Sequence, residues 1–367
     1  MGEFIVDSTV RNPIKWGRCR MEGQSVLHVP QIAWVTVNRA CQMRCDWCYA
    51  GSTGYKPGSD MDLELAKELV LTVKSIGIKS IVIIGGEPTL WKHLFEFNDF
   101  CRELGVKTSL VSNCQRFSSD KFWEEYQQHP CNAVSVSLKA FDQNSSILVS
   151  KFRDFDSVQL GVRRICQNRK TQVSIVYSSL IEGRLLDVVK TAVDLGAALV
   201  RIAICKPVSV NRRYSSTHCV EYKSMIDEIL NHYAEMDRIT NGAIRLIPDI
   251  PFCAWPRDFV EMLMSKKQIG IGGCQFQRRL GVIFDVDGTV ILCNSMFDCP
   301  AGKFGVDVVD NQGLIKLMNS DTVNTVYRSI NSYPSGKCVG CKMWSTCHGG
   351  CPIMWTTRDP EQVIRGW

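Results

Sequence analysis

Short apolar runs alternate with amphipathic stretches between about residues 32 and 240. The runs IAWVTV (32–37), SIVIIG (80–85), VKTSLVS (106–112), AVSVSL (133–138), QVSIVYS (172–178) and ALVRIAI (198–204) are rich in β-branched residues and predict six strands. The stretches that follow them carry apolar residues at helical spacing and predict helices over 59–77, 90–105, 118–128, 155–167, 184–196 and 220–236. Their ends are marked: acidic residues fill the first turn of the first helix, Gly77 and Gly105 stop the first two, and Ser118 or Ser119 opens the third. Alternating strands and helices mean parallel strands joined by helical crossovers, since a parallel partner is reached only through a long return connection. Eight such units would close a barrel. Six predict a partial (β/α)6 TIM-like barrel, with a doubly wound open sheet as the alternative; in the barrel, sites gather at the carboxyl ends of the strands.

Past residue 241 the texture changes: Gly, Pro and Cys rise in LIPDIPFCAWP, IGIGGCQF and YPSGKCVGC, and helical periodicity fades except over 310–330. The expected fold is therefore α/β, with an N-terminal segment (1–30), a barrel (31–240) and a small Cys-rich C-terminal domain (241–367). No tandem repeat or low-complexity segment interrupts it.

Composition narrows the class. At 45% hydrophobic and 22% charged the chain matches ordinary globular proteins. No apolar run reaches the roughly 18 residues of a spanning helix, so no membrane partner is expected. The start MGEFIVDSTV lacks a secretory pattern, and Val6 stands where a myristoylation site has Ser or Thr. A net charge of +6 without a basic block points to surface lysines and to no nucleic-acid partner. Eighteen cysteines are the anomaly. A secreted disulfide scaffold is short and carries a signal; a long chain with clustered thiols fits a reducing cytoplasm and metal or iron–sulfur ligation.

Cys41, Cys45 and Cys48 fall at i, i+4 and i+7, close enough for one loop to aim three thiolates at one centre. Structural zinc takes four ligands and catalytic zinc three with His common among them, but the nearest histidines, His28 and His93, lie outside the loop. A cubane iron–sulfur cluster on three cysteines leaves one iron open to a substrate or cofactor. Reduced thiols with no ligand role are the bland alternative. In IVIIGGEPTL, Gly85 and Gly86 at a strand end let backbone groups approach a ligand, and Glu87 offers an acceptor for an ammonium group; a plain Gly-Gly turn is the competing reading.

The spacing CxxxCxxC, with Trp47 before and Tyr49 after the last cysteine, followed by Gly85, Gly86, Glu87 and Pro88 after the second strand, resembles the radical S-adenosylmethionine (SAM) enzymes. The resemblance implies a 4Fe–4S cluster on Cys41, Cys45 and Cys48, and SAM chelated by the free iron, with its amine at the GGEP segment. Reduction would split the sulfonium to a 5′-deoxyadenosyl radical that abstracts hydrogen from a substrate. LVSNC corresponds to the family's Thr-Asn-Gly segment, with Ser112, Asn113 and Cys114; VSVSLKAFD corresponds to its Ser-Leu-Asp-Gly segment, making Ser137 a ribose contact, with Lys139 and Ala140 in place of Asp and Gly. Ser137 as an ordinary inward strand residue stays open.

Cys338, Cys341, Cys347 and Cys351 follow CxxCx5CxxxC, and upstream Cys274 precedes Gly288 and Cys293. Alone, the quartet reads as a zinc knuckle. Downstream of a radical SAM core it resembles the SPASM extension, which implies one or two auxiliary 4Fe–4S clusters, the first on Cys274, Cys293 and Cys351 and the second on Cys338, Cys341 and Cys347. No Cys follows Cys351, so the second cluster's last ligand is unassigned: Cys299, Asp359 or Glu361 substitutes, the chain is cut short, or that cluster is open or missing; Cys253 and Cys299 read as extra ligands or as buried free thiols, and Cys19, Cys101, Cys114, Cys131, Cys166, Cys205 and Cys219 as free thiols. His348 reads as a ligand, a donor behind one, or a loop histidine, and Trp344, Trp355 and Trp367 as core or substrate entrance.

The resemblance implies a peptide or protein substrate modified by crosslinking, epimerisation or oxidation. A separate leader-recognition protein is implied too, since the segment before the barrel is short, and so is an electron donor such as flavodoxin or ferredoxin. A dehydrogenase or epimerase of a sugar, aminocyclitol or nucleoside is the alternative. Asn294 follows Cys293 where the anaerobic sulfatase-maturing branch has an Asp base, and an amide cannot take a proton. A zinc-structured binding module would have no use for GGEP. The sequence singles out no catalytic acid or base.

Overall fold

The computed structural model describes residues 27–53, 59–168, 171–210 and 213–367. Most of the expected N-terminal segment, including Cys19, lies outside them. Among the described residues ten strands form one sheet. Its centre is the predicted series: β1 (Ile32–Thr36), β2 (Ser80–Ile84), β3 (Lys107–Ser112), β4 (Ala133–Leu138), β5 (Gln172–Tyr177) and β6 (Leu199–Ile204), each parallel to the next. This is a partial TIM-like barrel. Successive side chains point to opposite faces. Leu110, Val136, Ile175 and Ile202 are fully buried, whereas Val111, Ser137, Val176 and Ala203, one residue on, are half-buried or line a central cavity.

The crossover helices begin where local chemistry allows. α1 (Leu63–Ser75) starts at Asp62, whose carboxylate accepts from the N–H groups of Glu64 (2.9 Å) and Leu65 (3.3 Å), four residues inside the predicted start. α2 (Leu94–Glu103) and α3 (Asp120–Gln128) follow, and Ser119 caps the third. α4 (Gln143–Ser150) has no amphipathic period in its sequence QNSSILVS; it is nucleated by a capping box in which Asp142 accepts from Ser145 N–H (2.7 Å) and Ser145 Oγ from Asp142 N–H (3.0 Å). α5 (Phe155–Asn168), α6 (Leu185–Asp194) and α7 (Tyr222–Ile239) complete the crossovers.

Beyond α7 the sheet continues. A short hairpin lying before α7, β7 (Val208–Val210) and β8 (Arg213–Ser215), forms a sheet of its own, and after α7 β9 (Ile244–Leu246) adds parallel to β6. β10 (Gly281–Phe284) pairs parallel to β1, with Ile32 opposite Gly281 and Val35 opposite Phe284; β11 (Thr289–Ile291) and β12 (Gly302–Lys303) extend the edge antiparallel. Gly281 is required there, since a Cβ would strike the Trp34 ring. The change of composition near residue 240 is thus not a break in the sheet. A helix at Arg257–Ser265, hidden in the sequence among Pro and Cys, and two helices at Asn311–Met318 and Asp321–Ile330, where one periodic stretch was predicted, cover the C-terminal part.

Candidate active site

The three-cysteine loop leaves the carboxyl end of β1, a strand paired on both sides. The GGE turn after β2 lies directly against it: Gly86 N–H donates to Asn38 O (2.9 Å), Glu87 N–H to Ala40 O (2.7 Å), and Asn38 Nδ2 to Glu87 O (2.8 Å). A Cβ on Gly85 would meet Asn38, and one on Gly86 the carbonyls of Ala40 and Arg39. Both glycines border the cavity, yet the close approach that demands them is to the cysteine loop. The loop's other half hangs from the end of α4, where Arg44 N–H donates to Ser150 O (2.7 Å), Asp46 N–H to Val149 O (3.3 Å), and Asp46 pairs with Lys151 (2.6 Å). Arg39, before the cysteines, forms an ion pair with Asp285 at the β10–β11 turn.

A cavity of about 310 Å³ opens at this end of the barrel. Cys41, Cys45, Trp47, Cys48, Gly85, Gly86, Glu87, Asn113 and Ser137 all line it. Pro88 does not; it is buried in the first turn of the short helix Pro88–Leu90. Glu87 is 1% exposed. One carboxylate oxygen accepts from Thr89 N–H (3.2 Å), Thr89 Oγ1 (2.7 Å) and Ser112 Oγ (2.7 Å), the other from Asn113 N–H (2.8 Å), which leaves the second oxygen a free lone pair. Burial nevertheless pushes its pKa above the ordinary carboxylate range, making it a weaker acid. Asn113 Oδ1 accepts from Gln42 Nε2 (3.1 Å) and its Nδ2 lies 4.0 Å from Cys41 Sγ. Cys114 takes a left-handed backbone (φ 63°), a conformation glycine adopts without cost, at the position where the resembled segment has Gly.

Sequence reasoning named Lys139, Tyr49 and Cys205 without giving them a place in the site and passed over Lys206; all four also line the cavity. Lys139 donates to Ser137 Oγ and sits 4.5 Å above the Trp47 ring. Its position two residues past Ser137, at a strand's carboxyl end, was the available signal. Burial lifts the Cys41 thiol to about 12, helped by the Glu87 charge, and Cys45 to about 11, with Lys139 pulling the other way. A metal binding there must displace protons.

The far wall of the cavity carries Lys206 and Asn294. Lys206 pairs with Asp249 (2.9 Å), a carboxylate 3% exposed, and Cys351 N–H donates to Asp249 O (2.9 Å). Although burial opposes it, the charges of Asp249, Cys351 and Cys274 hold the Lys206 ammonium above its usual range. Burial likewise raises Cys351, Cys274 and Cys293, the last to about 11, and each of the three feels Lys206. Asn294 Oδ1 and Trp47 Nε1 are buried without a hydrogen-bond partner. Cys338, Cys341 and Cys347 line a separate small cavity with Trp344 and Trp367, whereas Trp355 is packed in the core and His348 lines neither space. Among the described residues no three His, Cys, Asp or Glu side chains converge on a point where a single metal ion would sit. No helix among them is long and apolar enough to cross a membrane.

Three thiols on one loop, beside a buried carboxylate and at the mouth of a parallel barrel, fit a cluster with a small-molecule cofactor better than a lone ion. Residues 35–177 match the Radical SAM superfamily model, that of a class that works with a 4Fe–4S cluster and SAM. Among curated relatives, the chain is 25% identical over 141 residues to the probable GTP 3′,8-cyclase of Archaeoglobus fulgidus, covering 38% of this chain and 46% of that one. It is 19% identical over 179 residues to the PqqA peptide cyclase of Bradyrhizobium diazoefficiens, covering 48% and 46%. The chain thus spans less than half the length of these relatives. In three dimensions it resembles SuiB of Streptococcus suis bound to the precursor peptide SuiA (TM-score 0.66, 18% identity, 90% of this chain and 74% of that one). It also resembles anSMEcpe with bound AdoMet (TM-score 0.66, 16% identity, 90% and 91%). At these identities the likeness establishes the fold.

Proposed function

We propose that this chain cleaves SAM reductively and takes a hydrogen atom from a peptide or protein, to crosslink, epimerise or oxidise it. The observation that carries the proposal is the single cavity bounded by Cys41, Cys45 and Cys48 on one side and by Lys206 and Asn294, next to the C-terminal thiols, on the other. Cys41, Cys45 and Cys48 would hold the 4Fe–4S cluster, and Cys274, Cys293 and Cys351, with Cys338, Cys341 and Cys347, two auxiliary ones. The cluster and SAM, when bound, supply one-electron cleavage and hydrogen-atom abstraction. The chain's own residues bind and orient: the second oxygen of Glu87 accepts from the cofactor's ammonium, Asn113 and Ser137 contact its polar groups, and Trp47 and Lys139 close one side against water. Asn294 Oδ1, lacking a protein donor, suits a peptide N–H.

The peptide substrate is supported by the fold shared with SuiB, solved with a precursor peptide, and with anSMEcpe, solved with the peptides Kp18Cys and Cp18Cys. A leader-recognition protein and a flavodoxin or ferredoxin would be partners, in the cytoplasm that so many reduced thiols require. A small anionic metabolite is the second reading, favoured by Lys139, for which no carboxylate partner exists among the described residues. The test is anaerobic cluster reconstitution, then incubation with SAM, reductant and candidate peptides. Release of 5′-deoxyadenosine together with a mass change in a peptide is expected; 5′-deoxyadenosine released with nucleotides or sugars but with no peptide would favour the second reading, and none under any condition would end both.

A further inference from the structure

Resting on the proposed auxiliary clusters, we propose that Cys253 is the fourth protein ligand of the second one, beside Cys338, Cys341 and Cys347. All four cysteines line one small cavity, walled otherwise by apolar groups such as Phe252, Met343, Trp344 and Trp367. The turn Phe252–Ala254, set by Pro251, carries Cys253 there from the far side of the sequence. Its attachment is direct: Phe252 N–H donates to Cys347 Sγ (3.2 Å) across a separation of 95 residues, and Arg365 N–H donates to Cys253 Sγ (3.3 Å). Amide-to-sulfur bonds of this kind are what cluster thiolates accept.

The substitutes suggested by sequence are occupied elsewhere. Asp359 accepts from Glu361 N–H (3.0 Å), Glu361 pairs with Lys337 (3.5 Å), Cys299 Sγ lies 3.7 Å from Asp298, and none of the three lines the cavity. The four thiols border one space, as the protein ligands of a single cluster do.

The test compares anaerobically reconstituted full-length wild type, Cys253→Ser, Cys338→Ser and Cys299→Ser by iron and zinc content and by electron paramagnetic resonance. Cys253→Ser should lose about four iron atoms per chain and one cluster signal, as Cys338→Ser does, while the signal that responds to SAM persists and Cys299→Ser matches wild type. Wild-type iron in Cys253→Ser alongside loss in Cys338→Ser overturns the assignment of Cys253 alone. A wild type holding only about four irons overturns the auxiliary-cluster reading, and zinc lost on substitution overturns the cluster as occupant. Should Cys253→Ser not fold, thiol alkylation of the wild type decides: Cys253 should be protected with Cys338, Cys341 and Cys347 until a chelator strips the iron, and alkylation of Cys253 before the others would refute the proposal.

Discussion

Gly86 and Glu87, just after β2, are held by contacts within the protein, whatever they do at the cofactor. Gly86→Ala drives a methyl group into the carbonyls of Ala40 and Arg39, so the cysteine loop must shift. We expect a stability loss of about 1–3 kcal/mol and reduced iron uptake at Cys41, Cys45 and Cys48, read by thermal melts and iron assay. Glu87 braces the ends of β2 and β3, since it accepts hydrogen bonds from two backbone N–H groups and two hydroxyls. Glu87→Ala strands those donors in a buried site and should cost at least about 2 kcal/mol in a urea titration of the cluster-free chain. A loss below about 0.5 kcal/mol would show that the brace is dispensable. Glu87 and the glycines were legible as a motif, but their packing role was not, because it depends on Asn38 and Ala40, which no local pattern links to them.

At the scale of elements, α4 supports the first thiol set. Burial tends to raise the Asp142 carboxyl, but the Ser145 N–H and hydroxyl and the nearby Arg184 hold it below its usual range. The cap is therefore intact above the unfolded aspartate value of about 4 and is lost as pH falls through the lower folded value. Asp142→Ala should cost about 1 kcal/mol at pH 7 and speed iron loss from the loop, with the stability gap to wild type closing in paired melts as pH falls below the unfolded aspartate value of about 4. The six central strands and their crossover helices were readable because alternation and helical period are local. α4 escaped because its stability comes from a cap rather than an apolar stripe, and β9 to β12 because two to four residues amid Gly and Pro carry too little period to declare a strand. Lys139 and Lys206 were not placed in the site for a related reason: a single cation at a strand end has no signature until the barrel gathers those ends.

In the whole molecule, β1 and β10 make one ladder, and the Arg39–Asp285 ion pair, its side chains 6% and 13% exposed, ties the cysteine loop to it. Asp285→Ala leaves a buried guanidinium uncompensated and should destabilise by about 3 kcal/mol; retention of the wild-type melting temperature would refute this. A chain cut at residue 240 bares the β1 edge and should aggregate where the full chain remains monodisperse in size-exclusion chromatography. Because the strand bearing the first thiols is stitched to the strands that carry Cys293, the gap between the two sets behaves as a rigid strut. Centres seated on the two sets would then keep a spacing fixed by backbone pairing rather than by loop conformation.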